Sequence, residues 1–225
     1  MEGALTYLQQ RAGDDWLIGH DSRKFYQLSE QLFLQLTQQS NRGTKLKILI
    51  AESDPVRFIA SFIAACTANC DIFLCNPNWV EQEWQQVFNL VQPDLILGKQ
   101  PQGKLPITHY PLPITHYPLP ITHRIMIPTG GSSGKIRFAI HTWETLMASV
   151  GGFSQYFENK QINSFCVLPL YHVSGLMQFM RSFTTGGRMV ILPFKDMVAG
   201  ARKTYRSTIL FHLPGTHPTC TIDNS

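Results

Sequence analysis

The chain has 225 residues, a formal net charge of +4, 44% hydrophobic residues and 15% charged ones. That length supports one domain or slightly more, with a sizeable core. Its basic residues are scattered apart from Arg202, Lys203 and Arg206, which argues against a nucleic-acid stripe or a polybasic membrane patch. The longest apolar stretch, residues 58–66, is too short to span a bilayer.

Residues 25–39 read as a Gln/Leu-rich helix, with Leu28, Leu32 and Leu36 at four-residue spacing. Residues 46–51 predict a buried strand. Asp54 and Pro55 then open a helix through Cys70, with proline in its first turn. A strand over residues 71–75 ends at Asn76-Pro77. A helix over 81–91 carries Trp84, Val87 and Phe88, and a third strand covers 93–97. Strand, helix, strand, helix, strand predicts a parallel α/β sheet. Cys66, Cys70 and Cys75 lie close together, but no C-x-x-C pair or nearby histidine completes a zinc set, so they read as buried thiols. An odd total of five cysteines and no signal peptide point to a reducing, cytoplasmic setting.

Residues 105–123 read LPITHYP, LPITHYP, LPITH. Two prolines per unit exclude a helix or a central strand. The heptanucleotide TTACCCA, repeated and translated, cycles through all three frames and encodes this unit. A DNA repeat expansion inside the gene therefore accounts for the segment, at a place where an exposed linker tolerates insertion. His109, His116 and His123 then recur because the DNA recurs, rather than as a metal set. Uniform codons across the units are expected; varied codons would contradict an expansion.

Beyond the repeat, a β-like run over 124–127 leads into Pro128 and then Thr129, Gly130, Gly131, Ser132, Ser133, Gly134 and Lys135. A second β-like run, 136–140, leads out. Three glycines let the backbone turn tightly and approach a ligand. Hydroxyls and amides donate to phosphate oxygens, and lysine supplies a point charge. The loop is suited to a polyphosphate. A Walker A loop would need Gly at 129 and Ser or Thr at 136, where Thr129 and Ile136 stand. A dinucleotide fingerprint would need G-x-G-x-x-G opening a helix, and here a β-like run follows. A plain Gly/Ser hairpin is the bland alternative.

Thr142 is a plausible N-cap for a helix over 141–158, with Thr145 at the box position and Trp143, Leu146, Val150 and Phe153 on one face. A strand over 164–168 runs into Pro169-Leu170-Tyr171-His172-Val173-Ser174-Gly175-Leu176. A Met/Phe-rich helix to Phe183 follows, then Gly186-Gly187 and a strand over 189–192.

The loop at 129–135 resembles the phosphate-binding signature of the adenylate-forming acyl-CoA ligase superfamily. Residues 168–176 resemble its next core motif, proline-leucine-aromatic-His-x-x-Gly. The resemblance covers residues 25–195, and the wording of both motifs is most like the o-succinylbenzoate–CoA ligase branch of menaquinone and phylloquinone synthesis. It implies an α/β fold: a partial N-terminal domain with a mostly parallel sheet and flanking helices. It also implies activation of a small carboxylate with ATP, Mg2+ and coenzyme A. Thr129, Gly130, Gly131, Ser132, Ser133, Gly134 and Lys135 would hold the β- and γ-phosphates, with Arg137 adding charge. His172 would sit where the acyl and nucleotide pockets meet, with Ser174 and Gly175 beside the acyl substrate; Gly175 could instead serve only tight helix packing, and His172 could be a core histidine capping its helix. Ile136, Arg137 and Phe138 depart from the family's proline, lysine, glycine.

The resemblance also implies segments that these residues do not contain: a tyrosine-glycine-x-threonine-glutamate run, a Thr-Gly-Asp and a mobile domain with a catalytic lysine. A frameshift would explain the tail, since codons for residues 215–220 read one nucleotide later give Val-Pro-Thr-Gln-Leu. The expected organisation is an N-terminal α/β subdomain (1–104), a repeat insert (105–123), an α/β core with the phosphate loop (124–197) and a frameshifted tail (198–225). A catalytically inactive nucleotide-binding remnant is the alternative to a ligase fragment.

Overall fold

The computed structural model describes residues 2–40, 45–99, 123–129, 134–158 and 160–192. Residues 105–122 of the repeat, the loop centre at 130–133 and the tail from 193 lie outside them.

Strands β2 (Lys47–Ala51), β3 (Asp71–Leu74), β4 (Leu95–Gly98), β5 (Ile125–Thr129) and β6 (Arg137–His141) form one sheet in the order β4-β2-β3-β5-β6. The first four are parallel, and β6 returns antiparallel to β5. The crossover from β2 to β3 is helix α3 (Pro55–Thr67) and that from β3 to β4 is helix α4 (Glu81–Leu90). Asp54 caps α3 by accepting from the Arg57 amide at 2.8 Å, with Pro55 in the first turn. Asn69, at a φ of 57°, follows the end of α3 and turns the chain into β3.

Side-chain alternation divides this sheet between two cores. Ile48, Ile50, Ile72, Leu74, Ile125 and Ile127 face the larger one, which α3 and helix α2 (Ser22–Ser40) help to fill. Leu49, Ala51, Phe73 and Phe138 face the smaller one, built on Trp84 and Val87 of α4. Both faces of the parallel strands are therefore covered, which is why β2 and β3 are apolar beyond their first residues, Lys47 and Asp71.

A second sheet has the order β1-β8-β7, all parallel, from β1 (Leu17–Ile18), β7 (Ser164–Cys166) and β8 (Met189–Ile191). Helix α1 (Ala4–Gln10) precedes β1. Helix α5 (Trp143–Tyr156) precedes β7, and helix α6 (Val173–Thr184) connects β7 to β8. Thr142 caps α5 by accepting from the Thr145 amide, and the Thr145 hydroxyl accepts from the Thr142 amide in return. Phe179 and Phe183 of α6 stack with centroids 5.2 Å apart and meet Trp16 and Phe25, joining the second sheet's layer to the larger core. No helix among the described residues is long and apolar enough to cross a membrane.

Cys66, Cys70 and Cys75 are free and buried, as expected, and Cys166 is free and buried as well. Burial pushes the Cys70 thiol up to about 12. No cluster of three or more His, Cys, Asp or Glu side chains among the described residues could hold a metal. His123, the last residue of the repeat, has a buried Nε2 without a hydrogen-bond partner, and burial lowers its pKa.

The lead into β5 is anchored by Asp71, which is 4% exposed. It accepts from the Arg124 amide at 3.0 Å and from Arg124 Nε at 3.1 Å, and pairs with Nη2 as well. Burial alone would raise the Asp71 pKa, but the hydrogen bonds and charge of Arg124 hold it below the usual carboxylate value. A depressed folded-state pKa stabilises the fold above the unfolded value of about 3.9, and that stabilisation is lost as pH falls through the folded value. Asp71→Asn is therefore expected to destabilise the protein near neutrality by an amount that shrinks as pH drops below about 4. Urea unfolding of both proteins across that range checks this; a gap independent of pH would contradict it.

Candidate functional site

Thr129 is the last residue of β5, and His172 follows shortly after the carboxyl end of β7. The two sheets thus bring their carboxyl ends to one crevice, the place where open α/β sheets bind ligands. A cleft of about 150 Å³ opens there. Thr129, Gly134 and Lys135 line one side, Tyr171 and His172 another, and Asn76 and Trp79 from the loop after β3 complete it.

The flanks of the 129–135 loop are held by sheet pairing. Thr129 pairs with Arg137 across the β5–β6 hairpin, and the Thr129 hydroxyl donates to the Arg137 carbonyl at 3.3 Å. Gly134 sits at a φ of +68°, a left-handed conformation that costs glycine little. Lys135 and Arg137 are both exposed. Gly130, Gly131, Ser132 and Ser133 lie outside the described residues.

The His172 backbone caps α6: its carbonyl accepts from the Leu176 amide at 2.9 Å, and its amide donates to the Pro169 carbonyl at 3.1 Å. Its side chain makes no capping hydrogen bond. The imidazole instead lies against Tyr171, with ring centroids 4.7 Å apart, at the edge of the cleft. Partial desolvation lowers its pKa, favouring the neutral ring near pH 7. It can therefore offer one donor and one acceptor to a ligand.

Ser174 is exposed in the first turn of α6, while Gly175 is buried. A Cβ on Gly175 would lie 2.3 Å from the Pro169 carbonyl oxygen. Its missing side chain lets α6 rest on the backbone that carries the Pro-Leu-Tyr-His turn. Tight packing, one of the two readings of this glycine, thus has a direct structural basis.

A second, larger cleft of about 300 Å³ meets the first at Tyr171. Phe58, Cys166, Leu168, Leu170 and Ile191 line it together with the polar Glu52, Ser53 and Asn78. Glu52 is buried and paired with Arg57 at 3.3 Å. Asn76, Trp79 and Tyr171 are site residues that the motifs did not single out for chemistry. Their positions just past β3 and β7 are the signal that could have found them.

No family model matches the sequence, and no curated protein is significantly similar to it. Solved structures do match its fold. The inhibitor-bound N-terminal domain of FACL13 from Mycobacterium tuberculosis aligns at 12% identity and a TM-score of 0.61, covering 86% of this chain and 57% of that one. O-succinylbenzoate coenzyme A synthetase (MenE) from Bacillus subtilis, in complex with AMP, aligns at 15% identity with the same TM-score and coverages. ATP-bound MatB from Rhodopseudomonas palustris aligns at 13% identity and a TM-score of 0.63, covering 89% of this chain and 48% of that one. The chain spans roughly half the length of these proteins. It has the α/β fold of the N-terminal domain of adenylate-forming ligases.

Proposed function

We propose that the chain is part of an adenylate-forming acid–CoA ligase, and that its cleft receives ATP and a small carboxylate. The observation that carries this reading is the joint placement of Thr129, Lys135 and His172 on one cleft at the carboxyl ends of two sheets. It accords with the likeness of the fold to ligases solved with AMP and ATP.

In such a reaction a carboxylate oxygen attacks the α-phosphorus of ATP, and the bond to the bridging oxygen breaks. Pyrophosphate leaves and acyl-AMP forms. The thiolate of coenzyme A then attacks the acyl carbon and AMP departs. The first step demands stabilisation of charge on the phosphoryl group, and the second of the oxyanion formed at the acyl carbon. Lys135, with Arg137 nearby on β6, offsets the charge of the β- and γ-phosphates, and Thr129 to Ser133 supply hydroxyl and amide donors. Mg2+ bound to the triphosphate would offset part of its charge. His172, as a neutral imidazole at the edge of the smaller cleft beside Tyr171, orients the acid against the nucleotide, with Ser174 and the packing at Gly175 shaping the acyl side. The Phe58, Leu168 and Leu170 side of the second cleft suits the hydrocarbon part of the acid, and o-succinylbenzoate is the acid that the motif wording favours.

The test is incubation of the 225-residue chain with ATP, Mg2+, o-succinylbenzoate and coenzyme A, with products followed by mass spectrometry. The tyrosine-glycine-x-threonine-glutamate run and the Thr-Gly-Asp that the resemblance implies do not occur within residues 1–225. No thioester or AMP above background is expected, while ATP is expected to bind. Turnover would show a complete ligase in these residues; absence of ATP binding would remove the ligase reading itself.

A further inference from the structure

Gln86, on α4, reaches across to the exit of the phosphate loop. Its side-chain Oε1 accepts from the Ile136 amide at 2.9 Å, and its Nε2 donates to the Gly134 carbonyl at 3.2 Å. The two contacts flank Lys135 on either side. One primary amide thus pairs with the backbone around Lys135 much as a neighbouring strand would.

The surroundings make this clamp stiff. Trp84 and Val87, on the same helix, are buried in the smaller core, and Ile136 and Phe138 pack against that core. Glu83 holds the start of α4 by accepting from the Val80 amide at 2.8 Å. Gly134 is in a left-handed conformation, and a Cβ there would meet nothing within 4 Å among the described residues. The described hydrogen bonds of Gln86 both go to this loop exit.

We infer that Gln86 is a positioning residue for polyphosphate binding: it fixes the backbone on both sides of Lys135 and so keeps the lysine at the cleft. This rests on the reading of 129–135 as a phosphate loop. A flexible side chain on a loose backbone loses more entropy on binding than one already held in place, so releasing the clamp weakens binding of the triphosphate. Binding that does not use Lys135 is untouched.

The experiment compares the full chain with Gln86→Met, which keeps length and removes both hydrogen bonds, and Gln86→Asn, which keeps the amide and shortens its reach. Amide hydrogen exchange at Ile136 and calorimetric titrations with ATP and with AMP are measured for each. Both variants are expected to exchange Ile136 roughly tenfold faster. ATP affinity is expected to fall about three- to tenfold, with AMP affinity unchanged. Unchanged ATP affinity alongside faster exchange would overturn the inference, as would equal losses for ATP and AMP, which mark general loosening. If the wild-type chain protects Ile136 but does not bind ATP, the phosphate-loop reading fails and the inference with it. A fold that collapses in both variants would show Gln86 to be structural and would also overturn it.

Discussion

Lys135→Ala is expected to weaken ATP binding by roughly ten- to a hundredfold while leaving AMP binding within about twofold, because a charge-assisted hydrogen bond contributes about 1.5–3 kcal/mol. The lysine lines the cleft next to Gly134 and opposite Tyr171 and His172. It is exposed, so its removal leaves no buried partner stranded, and the thermal midpoint should barely move. A long-range contribution to phosphate binding is screened by salt. The wild-type advantage for ATP should therefore shrink between low and physiological ionic strength. Titration calorimetry at two salt concentrations checks both parts. Equal weakening of ATP and AMP would place the lysine in general packing rather than at the phosphates.

Gly175→Ala is expected to produce the larger loss of stability. The new Cβ would meet the Pro169 carbonyl oxygen at 2.3 Å, its carbon at 2.8 Å and the Leu168 carbonyl oxygen at 2.9 Å. All three are backbone atoms, so no side chain can swing away. Relief requires α6 to lift from the turn, and α6 carries Leu176, Phe179 and Phe183 into the larger core. Overpacking of this kind costs about 1–3 kcal/mol. For a chain of this size that lowers the melting midpoint by roughly 2–12 °C. The change is expected without any ligand present, which separates a packing role from one in acyl recognition. Differential scanning calorimetry measures it; an unchanged midpoint would show that the helix can move freely off the turn.

Much of the first sheet is legible in the sequence because its strands are buried on both faces. Residues 48–51 and 72–75 read as unbroken apolar runs for that reason. Asp54-Pro55 and Thr142 with Thr145 are local signals, and each acts where expected. The helix expected to run through Cys70 stops at Thr67, because the chain turns at Asn69 in the left-handed region to enter β3. The strand expected to reach Leu168 stops at Cys166, where the chain leaves β8 and Leu168 becomes exposed.

The rest is not local. β1 is two residues long and exists because Leu17 and Ile18 pair with Met189 and Val190 far along the chain. No window around residue 17 carries that information, nor does it reveal that β1, β7 and β8 form a sheet of their own. The site divides in the same way. Thr129, Lys135 and His172 were visible as motif residues, and the fold brings them to one cleft. The Gln86 clamp spans a separation of 50 residues and offers no pattern to read. Trp79 and Asn76 are chemically unremarkable in sequence and join the cleft only because β3 ends beside β5.

The most direct measurement is a backbone amide NMR titration of the 225-residue chain with Mg-ATP. Shifts are expected at Thr129, Gly134, Lys135 and Ile136 and at Tyr171 and His172, saturating together with one dissociation constant, and AMP should reproduce only part of them. Shifts confined to other surfaces, or none at saturating ATP, would contradict a polyphosphate site between the phosphate loop and His172.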